Sequence, residues 1–443
     1  MARDKDYNAV LGYWRHGCLY WRADGSCRGT HLNRLRDTAT SLVGMQRRHK
    51  PDYQIVLYMG LLMLLGLVIM YAIGPQRANV LNSSYGTDFY GSTYFFIKQT
   101  VSLLLAFGAF IAMAVIPYTL LQRHAGKILM AGFAACALLA FLGAIGVEAA
   151  EQSLGASRWF KIGQLGSIQP SEFLKFGLLI FIAGFLGMRA QQGLVNSRDK
   201  TLIPLGIIIL TAIVFVIGLQ KDMGTGIVLV SILTCMLLVA GLSWRMGALL
   251  AALLLAVGAI FIVIAPHRVD RVMTFLKGDN HSSASVDEKD KSYHITNAKI
   301  AIGTGGLFGV GIGNSVQATG YLPGAINDSV FAIMGETFGF IGLVSILLLF
   351  TALLLRLLKV TDHLVDMRLK LIVAGVFGWL ASHVVLNVAA MIGIFPLTGI
   401  TLPLLSFGGT SMVFIGGALG LAFQLSRYTA FGSKLESNEN ENT

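Results

Sequence analysis

The stretch YHITNAKIAIGTGGLFGVGIGNSVQATGYLPGAINDSVFAIMGETFGFIG, Tyr293–Gly342, decides how the chain folds. Just before it lies DNHSSASVDEKDKS, Asp279–Ser292, the most polar run outside the termini. Apolar segments of membrane-crossing length flank the pair, so the polar run is predicted to form a long water-facing loop between two spans. Carboxylates gathered at a membrane surface suit chemistry on a lipid-borne substrate.

Working outward, the composition sets the class. Of 443 residues, 55% are hydrophobic and 13% charged, against roughly a quarter charged in soluble domains. The mean hydropathy is +0.68. These values predict an all-α polytopic membrane protein. The net charge of +11 sits mainly in short links between apolar spans, which is a topological pattern and argues against nucleic-acid binding. Four cysteines are too few for a disulfide framework. Cys136 and Cys235 fall in apolar spans, and Cys18 and Cys27 with His16 and His31 match no common zinc spacing.

Ten transmembrane helices are expected, at about 53–73, 94–116, 127–146, 171–188, 202–219, 225–242, 247–265, 329–357, 371–394 and 410–427. Residues 1–50 form a basic tail without the apolar core of a signal peptide, and Met45 is an alternative start. The membrane domain covers 51–428, with the extracytoplasmic loop 266–328 between spans 7 and 8, and 429–443 is expected to be a disordered tail. Arg123, Lys127, Arg189, Arg198, Lys200, Arg245, Arg356, Lys359, Arg368 and Lys370 mark alternate links as cytoplasmic, which places both termini inside.

Four unusual segments then share the outer surface: Gly155–Lys175, Gln220–Gly226, the long loop, and GIFPLTGITLPLLSFGGTS, Gly393–Ser411. The last is too apolar for a free loop and reads as a re-entrant segment lining a cavity, with Ser406 a polar contact. Glu172 and Lys175 can pair across one helical turn, and Asp328 and Glu336, eight apart, are expected on one helix face. Arg158 beside Trp159 suits a diphosphate at the interface.

The motifs GASRWFKIG…IQPSE, QKDMGTG, SYHI…AIGTGG…GIGNSVQATGYLP…DSVFAIMGETFGFIG and GIFPLTGITLPLLSFGGTS resemble those of the FtsW/RodA/SpoVE (SEDS) family, over about Tyr53–Tyr428. GIGNSVQ, Gly311–Gln317, is closer to the division-type FtsW branch. The resemblance implies a peptidoglycan glycosyltransferase that polymerises lipid II on the outer face of the bacterial cytoplasmic membrane, at the division septum. It implies a catalytic aspartate six residues before Tyr293, which is Asp287, with Asp290 as alternative and Asp279 third. The chain departs from the family at this point, with DEKDKS for DP-x-G-x-G and a loop about six residues longer. Lys221 stands for the usual Pro, Gly324 for Glu, and Ile326-Asn327 for His-Thr.

The implied substrate contacts are Arg158, Trp159, Lys161, Glu172, Lys175, Tyr293, Gln317, Asp328, Glu336 and Ser406. The diphosphate leaving group calls for positive charge from Arg158, Lys161, Lys175 or a divalent cation, Mg or Mn, and no other cofactor is implied. The implied partners are lipid II, a class B penicillin-binding protein (an FtsI-like transpeptidase) and other divisome membrane proteins. A lipid II flippase and a non-catalytic division scaffold are the competing readings. In a cysteine-free background, Ser283→Cys is expected to react with a membrane-impermeant thiol reagent on whole cells and Ser437→Cys to stay unlabelled. The opposite pattern would invert the topology.

Overall fold

The computed structural model describes residues 50–147, 150–153, 156–161, 167–263 and 286–429. The N-terminal tail with Cys18, Cys27, His16 and His31, the segment with Asp279, and the C-terminal tail lie outside the described residues. Eight helices among these residues are long and apolar enough to cross a membrane. They are α1 (Tyr53–Tyr85), α2 (Tyr94–Val115), α4 (Ala125–Ile145), α5 (Pro170–Gln191), α6 (Arg198–Leu219), α10 (Val330–His363), α11 (Met367–Met391) and the helix starting at Gly409, here α12 (Gly409–Leu425). The shorter apolar helices α7 (Met223–Val239) and α8 (Trp244–Val263) follow α6. The six-residue α3 (Tyr118–Arg123) precedes α4, and α9 (Val286–Thr304) precedes α10. The protein is a helical integral membrane protein.

Two helices outrun their expected spans. α1 passes through Pro75 and ends at Tyr85, where Gly86 at φ 62° donates its N–H to Asn82 O. Apolarity ends earlier than the helix does, because a polar helix outside hydrocarbon keeps its internal hydrogen bonds. For the same reason α10 runs on to His363.

The helices are not equally central. In α11 and α12, 72% of the apolar window is buried, against 22% in α4, so the first two form the bundle core and α4 faces lipid. α12 meets α2 through Gly416 and Gly420, a small-xxx-small pair of the kind that lets membrane helices approach backbone to backbone. A Cβ on Gly416 would lie 2.5 Å from Ala106 O, and one on Gly420 would lie 2.2 Å from Phe110 O. At the end of the bundle carrying the basic links, Arg356 of α10 pairs with Asp52, the N-cap of α1, while the Asp52 amide donates to Ser426 Oγ at 2.8 Å. Three helix ends are thereby joined.

Three features lie outside an all-α reading. A small antiparallel sheet, β1 (Ala150–Ser153), β2 (Ala156–Lys161) and β3 (Ser167–Ile168), caps the link between α4 and α5. Second, α10 is broken at Gly339 (φ 68°, ψ −169°). There residues 306–311 exchange backbone hydrogen bonds with 336–341: Val310 N to Glu336 O (2.9 Å), Gly311 N to Thr337 O (3.1 Å), Phe340 N to Gly306 O (2.8 Å) and Ile341 N to Leu307 O (3.2 Å). A side chain at Gly309 or Gly339 would strike this ladder, since each Cβ would come within 2.3 Å of the opposing backbone. Third, residues 393–408 are non-helical yet carry the buried Leu402, Leu404 and Leu405. Such backbone survives at membrane depth only when protein supplies its partners.

The contact at Gly420 gives a sharp test. Gly420→Ala is expected to destabilise by about 1–3 kcal/mol, as overpacking against fixed backbone does, and to lower the thermal midpoint in detergent. Gly417→Ala, whose Cβ would meet the Met113 side chain at 3.5 Å and Ala109 Cβ at 4.0 Å, both ordinary contacts, should leave the midpoint unchanged.

Candidate active site

A polar cavity of about 570 Å³ lies where β2, the starts of α5 and α7, the turn before α10, and segment 398–411 converge. Its lining includes Arg158, Trp159, Gln169, Glu172, Asp222, Thr225, Asn327, Asp328, His383, Thr398, Thr401 and Ser411. Arg158 sits on the middle strand of the sheet. Its Nε donates to Gln220 O (3.3 Å) and its Nη2 to Lys221 O (2.8 Å). Lys221 reaches φ 54° to bring the second carbonyl round. With two of its five N–H groups fixed, the guanidinium keeps the rest of its fork for an anion.

The floor of the cavity is a buried charge cluster. Lys175, wholly buried, donates to Glu172 Oε1 at 2.8 Å and lies 4.9 Å from the centre of the Trp379 ring. His383 Nδ1 is 3.2 Å from Thr401 O. A carbonyl only accepts, so Nδ1 carries the proton and Nε2 accepts from Lys175 Nζ at 3.4 Å. Glu172, 3% exposed, leaves Oε2 without a partner. Thr398 Oγ1 and Ser411 Oγ are likewise unpartnered, and all three residues line the cavity. These three atoms give the cavity hydrogen-bonding capacity for a polar ligand. Asp222 differs. As N-cap of α7 it accepts from Thr225 N (3.0 Å), Thr225 Oγ1 (2.8 Å) and Gln169 Nε2 (3.1 Å).

Asn387 ties the walls together. Its Nδ2 donates to Asp328 O (2.7 Å) and Ile400 O (2.8 Å), joining the turn before α10 to the non-helical segment. Burial pushes the Asp328 carboxyl above its usual range, with the neighbouring His294 opposing the shift. The same burial lowers His294, against the charge of Asp328.

Of the residues singled out in the sequence, Arg158, Trp159, Glu172 and Asp328 line this cavity, and Lys175 supports it from one turn below. Lys161 ends β2, exposed and away from the lining. Ser406 is 1% exposed, and its Oγ accepts from Leu402 N at 2.8 Å, which makes it an internal brace of the non-helical segment. Asp328 and Glu336 do not share a face. Asp328 precedes the Ser329 N-cap, so helical spacing does not apply to it.

Glu336 serves another cluster. It accepts from Ser315 Oγ (2.5 Å), Val316 N (2.9 Å) and Gln317 N (3.2 Å), and so pins the GIGNSVQ turn. Tyr293 is half-exposed on α9. Positions 287 and 290 belong to the first turns of α9, in a helix where a loop was expected. Their side chains lie outside the described residues. His383 and Asn387, four apart in the mainly apolar second half of α11, escaped the sequence reading, although polar residues within a span were the signal that could have found them.

A family model described as a cell cycle protein matches residues 53–430. The chain belongs to the FtsW/RodA/SpoVE family. It is 32% identical over 388 residues to the stage V sporulation protein E of Bacillus subtilis, covering 87% of this chain and 99% of the relative. It is also 32% identical over 395 residues to the probable peptidoglycan glycosyltransferase FtsW of Halorhodospira halophila, covering 87% and 94%. The fold matches a chain of a peptidoglycan synthase complex described as coordinating polymerization and crosslinking, with TM-score 0.64, 24% identity and coverage of 85% and 98%. It also matches the rod shape determining protein RodA of Thermus thermophilus, with TM-score 0.58, 23% identity and coverage of 86% and 98%.

Glu336→Ala is expected to leave the N–H groups of 316 and 317 without their acceptor, at a cost of about 1–3 kcal/mol. Limited proteolysis should then cut within 311–320, where the parent protein resists.

Proposed function

We propose that this chain is a peptidoglycan glycosyltransferase that polymerises lipid II at the outer face of the cytoplasmic membrane, in septal wall synthesis. The observation that carries the reading is the cavity, in which a cation clamped by two carbonyls faces buried, unpartnered acceptors. Family membership and the glycosyltransferase names of the relatives support it.

The reaction joins two sugars. The 4-hydroxyl oxygen of the acceptor attacks the anomeric carbon of a lipid-diphosphate-linked MurNAc as the bond to the diphosphate oxygen breaks on the opposite face, inverting the centre. Ionised Asp287 takes the hydroxyl proton, a step worth about 10²–10⁴-fold. Arg158 receives the charge that develops on the diphosphate. Glu172 Oε2 accepts from a hydroxyl or amide N–H of the substrate. An apolar groove of about 820 Å³, lined by residues of α6, α7 and α8, holds part of the lipid tail. One helix, α7, separates groove from cavity: Gly226, Ile227 and Val230 face the first, Thr225 and Val228 the second.

A resident divalent ion fits poorly among the described residues, where no group of three or more His, Cys, Asp or Glu is disposed to hold one. Glu172 is engaged by Lys175 and Asp222 by its capping bonds, so no step is routed through a metal. A flippase would need polar residues along a path through the bilayer, whereas the lining collects in the segments read as outer. A class B penicillin-binding transpeptidase is the proposed partner, since peptide cross-linking is a separate reaction.

Purified protein given fluorescent lipid II should yield glycan chains on a gel. Asp287→Asn should lower polymerisation by at least about a hundredfold with lipid II binding retained, and Asp290→Asn should cost far less. A dead Asp290→Asn beside an active Asp287→Asn reassigns the base, full polymerisation by both moves it to another residue, and no glycan from the parent protein favours the scaffold.

A further inference from the structure

α9 carries the proposed base in its first turn, yet among the described residues only one of its side chains hydrogen-bonds to another element. That side chain is His294, whose Nε2 is 2.6 Å from Ser329 Oγ. The Asn297 and Thr304 side chains bond within the helix. Ser329, fully buried, donates its one hydroxyl proton to Pro323 O at 2.7 Å. The imidazole must therefore be the donor, with the proton on Nε2.

The turn that receives this bond is itself immobilised. Asn387 holds the Asp328 carbonyl from below. The Gly324 carbonyl accepts from Asn327 N at 2.8 Å and from Ser329 N at 3.1 Å, which closes the turn on itself. Gly324, at φ 63°, leaves the space it occupies, because a Cβ there would stand 2.2 Å from Asp328 Oδ1. His294 thus ties α9 to a rigid piece of the cavity wall. Further along, α9 is seated by Ala298 and Ala301, both fully buried, and by Gly305, where a Cβ would lie 2.0 Å from Gly335 O. Those contacts fix its distance from α10. Position 287 lies seven residues, two turns, before His294, so the tether nearest to it sets its rotation relative to the cavity.

We propose that His294 is a positioning residue for the polymerisation step: its bond to Ser329 orients the first turns of α9, and with them the base, towards substrate held in the cavity. The inference rests on the glycosyltransferase reading given above. It predicts a loss in turnover without a loss in binding, since misplacement of a catalytic group by about 1 Å can cost 10²-fold.

The test compares His294→Ala, His294→Gln and Ser329→Ala on fluorescent lipid II, with hydrogen exchange of the 286–296 amides measured on the same proteins. His294→Ala should lower kcat by at least about tenfold, leave KM within about twofold, and raise exchange in 286–296. His294→Gln, whose amide N–H can reach the same hydroxyl, should restore both. Ser329→Ala should mimic His294→Ala from the other side of the bond, and His294→Ala with Ser329→Ala together should be no worse than the worse single variant. A Gln variant as impaired as Ala, an Ala variant with normal kcat, or an effect on KM alone would each overturn the proposal. If the parent protein makes no glycan while exchange still follows the donor, the tether stands and the glycosyltransferase reading falls.

Discussion

A backbone amide or carbonyl left unpaired in hydrocarbon costs several kcal/mol, and the half of this protein that carries the cavity is arranged around that penalty. Much of its cavity wall is chain that is not helical: residues 398–408, the turn before α10, and the short link before α7. Every such stretch borrows partners. Asn387 Nδ2 donates to two carbonyls at once, Phe407 N donates to Ile326 O at 2.7 Å, and Ser406 braces Leu402. The core helices α11 and α12 are the most buried because they carry or flank this borrowed network. Their small residues let them close on it.

Charge follows the same economy. Lys175 and Glu172 would each be prohibitively placed alone, and breaking such a buried pair typically costs about 3–5 kcal/mol. Together with His383 and the Trp379 ring they form a neutralised base under the cavity. One carboxylate oxygen and the Arg158 fork are left as the groups with capacity to spare. The cavity offers a ligand a cation on one side and an acceptor on the other.

Much of this was legible in the sequence for specific reasons. Long apolar runs give spans whatever their neighbours are, and the Gly/Pro-rich apolar segment after α11 could be neither helix nor free loop. Glu172 and Lys175 were readable because a pair at i and i+3 is local. What escaped was non-local or depended on where a helix begins. Ser406 looked exposed to a cavity because nothing in its neighbours reveals that its hydroxyl turns back on Leu402. Asp328 and Glu336 looked coaxial only if the helix started before Ser329. The β-sheet around Arg158 is short, and its strands have no alternation to betray them.

The ladder between residues 306–311 and 336–341 also bears on how such a chain can evolve. Four backbone bonds fix the register of everything from Gly306 onward against α10, and backbone bonds are indifferent to side-chain identity. Length differences upstream of Tyr293 are therefore not transmitted into the cavity wall. Their entropic cost is slight as well, about 0.6 kcal/mol for each doubling of a flexible connection. An insertion of the size read here can thus be accepted in one step upstream of α9, while Asp328, Gly335 and Glu336 hold their places.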